Sequence, residues 1–133
     1  MNKHELTRLA YGSTLMDNGY TLWHDDKKRY KGYVVGGVEH ESLCFCDDYK
    51  SFSNLFDEYI NMLDATLTAE ALGEIPVGAL LGIGTWIDEG RIYFDVVEWV
   101  ENEEEAHAKC KMRGEKAYFD ILNQKSIYIK DEN

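Results

Sequence analysis

The sequence predicts an α+β fold: one domain over residues 1–133, with a mainly antiparallel sheet of about five to seven strands, one long amphipathic helix and one or two shorter helices. Three stretches carry that expectation. Between residues 49 and 72, Phe52, Leu55, Phe56, Tyr59, Ile60, Leu63 and Leu67 recur at spacings of three and four, which lays one apolar stripe along a helix. From 92 to 100, Ile92, Phe94 and Val96 alternate with Tyr93, Asp95, Val97 and Trp99, the period of an inner strand partly covered on both faces. From 102 to 113, Asn102 stands as a helix cap, Glu105 follows three residues on, and Gly114 lies past the end.

In chain order, residues 3 to 17 are expected to form a helix through Leu6, Leu9, Ala10 and Leu15, weakened by Gly12, Ser13 and Thr14. Residues 20–24 and 30–38 read as a hairpin around a polar turn at 25–29. Residues 41–46 make a third, shorter strand. The long helix follows, and Gly73 stops it. Pro76, the single proline, marks the best internal seam. Residues 80–86 and 92–100 form a second hairpin about Asp88, Glu89 and Gly90. Residues 117–122 and 127–129 close the chain as two strands. Ile92-Tyr93-Phe94-Asp95-Val96 also echoes Ala117-Tyr118-Phe119-Asp120-Ile121 across one helix. A strand–helix–strand unit runs such strands parallel with a right-handed crossover, and puts Tyr and Asp on one face of each, Phe on the other. Recurrent strand composition explains one match of this length better than duplication does.

Charge is unevenly placed. Residues 39–105 carry 17 acidic side chains and two basic ones, Lys50 and Arg91, within a total net charge of −11. Such a chain repels nucleic acid over much of its surface and is steered towards basic partners, so no direct nucleic-acid binding is expected. At this length roughly two-thirds of the unfolded surface can be buried. With 44% hydrophobic residues, the charge does not force disorder. Cys44, Cys46 and Cys110 form no repeated framework, which points to free thiols in a reducing cytoplasm. The N-terminus lacks a signal-peptide apolar region. The longest nearly apolar run, residues 77–84, is far short of the roughly 20 that span a bilayer, so no membrane partner is expected.

Few residue patterns carry chemistry. Cys44 and Cys46 on a strand would point one way, about 7 Å apart. Zinc would need two further ligands from Cys110, His40 or His107, and no paired spacing supplies them. Buried thiols fit better, and neither metal nor cofactor is expected. None of His4, His24, His40 and His107 stands in a nucleophile motif. Residues 78–84 lack the Lys-Ser/Thr ending of a phosphate loop and lead into a strand, so their glycines serve a bend or close packing. Asp95 and Asp120, each two residues after a tyrosine, are the one carboxylate pair worth testing for acid–base or divalent-metal work. Glu103, Glu104 and Glu105 match the positive N-terminal turn of their helix, as Lys109, Lys111 and Arg113 match its negative end. Asp57, Glu58 and Asp64 have no such account. They lie opposite the apolar stripe of a helix with no basic residue after Lys50. With Asp47, Asp48 and the turn residues Asp88 and Glu89, they make up the expected partner-binding surface.

One segment looks familiar. Residues 84–95, from Gly84 through Trp86, Gly90 and Tyr93 to Asp95, precede an acidic helix containing Glu105 and Ala106, and then Arg113-Gly114-Glu115 leading to Asp120 and Ile121. The segment 82–121 resembles small accessory proteins of phages and other mobile elements, most without assigned function. It carries no catalytic residues to transfer. The resemblance implies a setting in which small acidic proteins inhibit host defence, anti-CRISPR and anti-restriction proteins among them. The function expected is then non-enzymatic, in the cytoplasm of the host cell. The carboxylates would stand in for phosphates, a DNA mimic on a basic, nucleic-acid-binding host protein, with Trp23 or Trp99 as an exposed anchor. The alternatives are an accessory module that binds protein through an apolar or sheet surface, and a small enzyme built on Asp95 and Asp120.

Overall fold

In the computed structural model, which describes residues 2–25, 27–38, 41–71 and 80–129, the chain begins with α1 (Lys3–Asp17). It continues through β1 (Gly19–Trp23), β2 (Tyr33–Val35), β3 (Ser42–Phe45) and α2 (Tyr49–Ala71). It ends with β4 (Leu80–Asp88), β5 (Arg91–Val100), α3 (Glu103–Met112), β6 (Ala117–Asp120) and β7 (Lys125–Tyr128). The seven strands form one antiparallel sheet in the order β1-β4-β5-β2-β6-β7, with β3 also paired to β5. This is the expected α+β single domain. Gly73, Pro76 and His40 lie outside the described residues.

The β4–β5 hairpin is the centre. Its turn has positive φ at both central residues, 50° at Glu89 and 75° at Gly90. That two-residue geometry matches the right-handed twist of the strands it joins and fixes the register Asp88↔Arg91. β1 pairs with β4, and both β2 and β3 pair with β5. The hairpin expected between residues 20–24 and 30–38 is therefore absent, and only Tyr33–Val35 of its second half is a strand. Both candidate strands instead find longer partners on the two edges of the central hairpin. Of the connection between them, Arg29 and Lys31 lie against Trp23 and Trp99.

Register assigns the faces. Ile92, Phe94, Val96, Glu98 and Val100 of β5 point to the side where the helices pack. Phe52, Phe56, Tyr59 and Leu63 of α2 and Ala10 of α1 meet Ile83, Ile92, Phe94 and Val96 there in the main core. Ala106 and Cys110 of α3 meet Val35, Val100 and Tyr118 in a second cluster on the same side. Glu98 stands at the seam between the two.

β5 and β6 run parallel, but β2 lies between them, antiparallel to both. The echo between the two strands is out of phase. Phe94 faces the helices, whereas in β6 Tyr118 does and Phe119 points away. The shared sequence is strand composition, not repeated structure.

β2 and β3 are two halves of one interrupted strand along β5. The ladder along β5 breaks between Val35↔Glu98 and Ser42↔Phe94, so residues 95–97 pair with neither half. The break is clasped from both faces. Gly37 N–H donates to Asp95 Oδ2 at 2.8 Å, and Arg113 donates to the Gly36 carbonyl at 3.3 Å. A side chain at Gly36 would collide with the Asp95 and Glu115 carboxylates.

Candidate functional site

No described helix covers the second sheet face. It carries Trp23, Gly82, Gly84, Trp86, Tyr93, Asp95, Val97, Trp99, Leu43 and Phe45 by register. One half is closed. Gly82 lies so close to β1 that a Cβ there would meet the Leu22 carbonyl and the Trp23 ring, and one at Gly84 would meet Val97, the close packing expected of these two; Gly78 lies outside the described residues. Arg29 sits 5.5 Å over the Trp23 ring and 5.9 Å over that of Trp99. A two-toothed ion pair with Asp25, at 2.5 and 2.7 Å, fixes its orientation and holds the Asp25 carboxyl well below its usual range. Trp23 is only 6% exposed, and Trp99 donates its indole N–H to the Lys31 carbonyl at 2.8 Å. Neither is the exposed anchor expected of it: Arg29 and the Lys31 carbonyl engage both.

The other half is open. Trp86 and Tyr93 stack at 5.6 Å with an interplanar angle of 9°. Leu43 lies opposite Tyr93, and Phe45, opposite Arg91, is 59% exposed. The Trp86–Tyr93 half of this patch was legible: a two-residue turn at Glu89-Gly90 puts Trp86 across from Tyr93 by counting.

Carboxylates gather at the same end. Cys46 N–H donates to the Gly90 carbonyl at 3.0 Å, which sets the turn after β3 against the tip of the central hairpin. Asp47, Asp88 and Glu89 are exposed there. Arg91 is the one cation in residues 43–48 and 86–93. Asp48 has a different task. Its carboxylate accepts from Ser51 N–H at 3.0 Å and Ser51 Oγ at 2.7 Å, capping α2, and these bonds lower its pKa.

The expected acidic row on α2 does not form one face. At about 100° per residue, Asp57 and Asp64 turn towards α1 while Glu58 turns towards β3. Asp57 pairs with Lys3 of α1 at 3.2 Å, a cation from another element that helix composition alone conceals. Glu58 is exposed and borders the groove beside β3.

Asp95 and Asp120 do not share a site. They lie on opposite sheet faces with β2 between them. Asp120 accepts from the Asn123 side chain at 2.7 Å and from its N–H at 3.2 Å; these bonds close the β6–β7 turn and lower its pKa. Asp95 is 1% exposed, and its Oδ1 has no hydrogen-bond partner among the described residues. Burial pushes its pKa up to about 7; the Gly37 N–H opposes this, and Glu115 and Glu41 add to it. Glu98 is also buried, which alone would raise its pKa. Lys109 at 2.6 Å and Arg113 at 2.5 Å reverse that and hold it down.

Among the described residues no three His, Cys, Asp or Glu side chains are grouped to hold a metal ion. Cys44 is buried on β3, and burial raises its thiol to about 11; Cys46 already belongs to the following turn, so the two do not form a matched pair on one strand. Among the described residues no helix is long and apolar enough to cross a membrane. No protein-family model matches the chain, and neither a curated protein nor a solved structure does.

Proposed function

We propose that this chain is a non-enzymatic binding protein that occupies a basic, nucleic-acid-binding surface of another protein. One observation carries the reading: the open aromatic patch of Trp86, Tyr93, Leu43 and Phe45 lies at the same end of the sheet as exposed Asp47, Asp88 and Glu89. Protein interfaces place aromatic anchors centrally and charge at the rim. Here the rim is negative, so its complement is positive. Carboxylates in such a rim imitate the field of a phosphate backbone without its chemistry. The resemblance of residues 82–121 supplies the setting: a phage or mobile element whose product inhibits a host defence protein in the host cytoplasm, as anti-CRISPR and anti-restriction proteins do.

The same patch also favours a second reading, an accessory module that binds protein by apolar contact alone. Salt and charge reversal separate them. Host lysate is passed over the immobilised protein at low and high salt, alongside the Asp47→Lys/Asp88→Lys/Glu89→Lys variant. The reading expects a captured protein that binds duplex DNA, loses the duplex when this chain is added, and escapes both the variant and high salt. Capture that is equal in all four conditions leaves only the apolar module.

A further inference from the structure

We infer that the free edge of β3 is a strand-addition site for an extended partner segment in which apolar and basic side chains alternate. The charge of that segment rests on the reading above; the edge does not.

The hydrogen-bond phase of β3 is fixed. Cys46 N–H bonds to the Gly90 carbonyl, and the register continues to Cys44↔Ile92 and Ser42↔Phe94. In an antiparallel ladder bonded pairs recur at every second residue. Ser42, Cys44 and Cys46 therefore turn their backbone groups to β5, and Leu43 and Phe45 turn theirs outward. The Phe45 carbonyl accepts from Asp48 N–H at 3.1 Å. That leaves the Leu43 N–H, the Leu43 carbonyl and the Phe45 N–H along an edge that pairs with no described strand. Edges not meant for pairing usually carry Lys, Pro or a bulge. β7 carries Lys125, whereas β3 reads Ser-Leu-Cys-Phe.

The edge also has room beside it. An open groove of about 530 Å³ runs between β3 and the flank of α2, bordered by Leu43, Phe45, Leu55, Asp48, Asn54 and Glu58, with no cation in its lining. A strand added here continues the pleat. On one side its side chains extend the row of Leu43 and Phe45, both largely exposed, and are apolar. On the other they lie over the groove against Glu58 and Asp48, and are basic. The same charges speak against a second copy: β3 on β3 would bring both pairs of carboxylates together.

The probe is a seven-residue capped peptide alternating Lys and Val. Its controls are a peptide of the same composition with the valines in one block, and an alternating Glu-Val peptide. Amide exchange is read residue by residue. The alternating Lys-Val peptide is expected to slow exchange at Leu43 and Phe45 about tenfold, and the two controls are expected not to. Leu43→Pro removes an outward N–H while sparing the ladder to β5, and Glu58→Lys reverses the groove wall. Each is expected to weaken the peptide about tenfold, with protection of the Tyr93 and Asp95 amides, which face β4, reporting that the fold persists. If Leu43→Pro does not fold, Glu58→Lys and the block peptide decide. Protection unaffected by Glu58→Lys, or given equally by the Glu-Val peptide, overturns the basic half of this proposal; the reading above falls only if reversal of Asp47, Asp88 and Glu89 leaves partner capture unchanged. No protection with any peptide, while reversal of Asp47, Asp88 and Glu89 still abolishes partner capture, overturns strand addition alone. Concentration-dependent protection without peptide overturns it in favour of a dimer.

Discussion

Asp95 shows what a single residue can hide. The sequence marks it, with Glu98, as an acid inside a largely apolar strand, but assigns it to a pair with Asp120. Its partner is instead the Gly37 N–H beside an interrupted strand, a contact between positions 58 residues apart. The folded protein keeps a proton on Asp95 up to about pH 7, while the unfolded chain releases it near pH 4. Stability from this group is therefore highest in acid, falls as pH rises between those values, and is flat above. The slope approaches about 1.4 kcal/mol per pH unit between roughly pH 5 and pH 6.5. Asp95→Asn is expected to remove the slope and to be more stable than the parent at pH 8. Urea midpoints from pH 5 to 8 measure both. A parent whose midpoint rises across that window would show that the carboxyl is ionised in the fold. The lowered carboxyls of Asp48, Asp120 and Glu98 act the other way, but below this range.

At the scale of elements, local signals were legible and partners were not. The apolar stripe of α2, the Asn102 cap of α3 and the turn of the β4–β5 hairpin are all written within a few residues of where they act. The Asn102 side chain accepts from Glu105 N–H at 3.2 Å, as the spacing predicts. Pairing of β1 with β4 and of β2 with β5 is decided between segments far apart, and alternation alone cannot name a partner. The acidic row failed for a related reason. Charge was read along one helix, while Lys3 came from another. The hairpin turn itself gives a test. Gly90 has φ 75°, a conformation that costs a residue with a Cβ about 1–2 kcal/mol. Gly90→Val is expected to lower stability by that amount in urea titration and to weaken the near-ultraviolet circular dichroism of the Trp86–Tyr93 stack. Full stability would mean that the turn is not the element that sets the register.

For the whole molecule, the net charge of −11 opposes compaction. Moderate salt screens that repulsion and is expected to raise thermal stability by about 1 kcal/mol, or roughly 3–6 °C for a chain of this size, even as it weakens capture of a basic partner. A scanning-calorimetry series in salt checks the first effect, and a midpoint that falls would show that the ion pairs of Glu98 outweigh the repulsion. The sheet order has a consequence in time. Among the described residues, β1, β2 and β3 pair only with β4, β5 and β6, all at or beyond residue 80. During synthesis the first three strands leave the ribosome with no sheet to join, and they wait until residues 80–100 have followed them out. The acquisition of structure by this chain is then a late, concerted event, and the stretch of translation before it is when its strands are open to other chains.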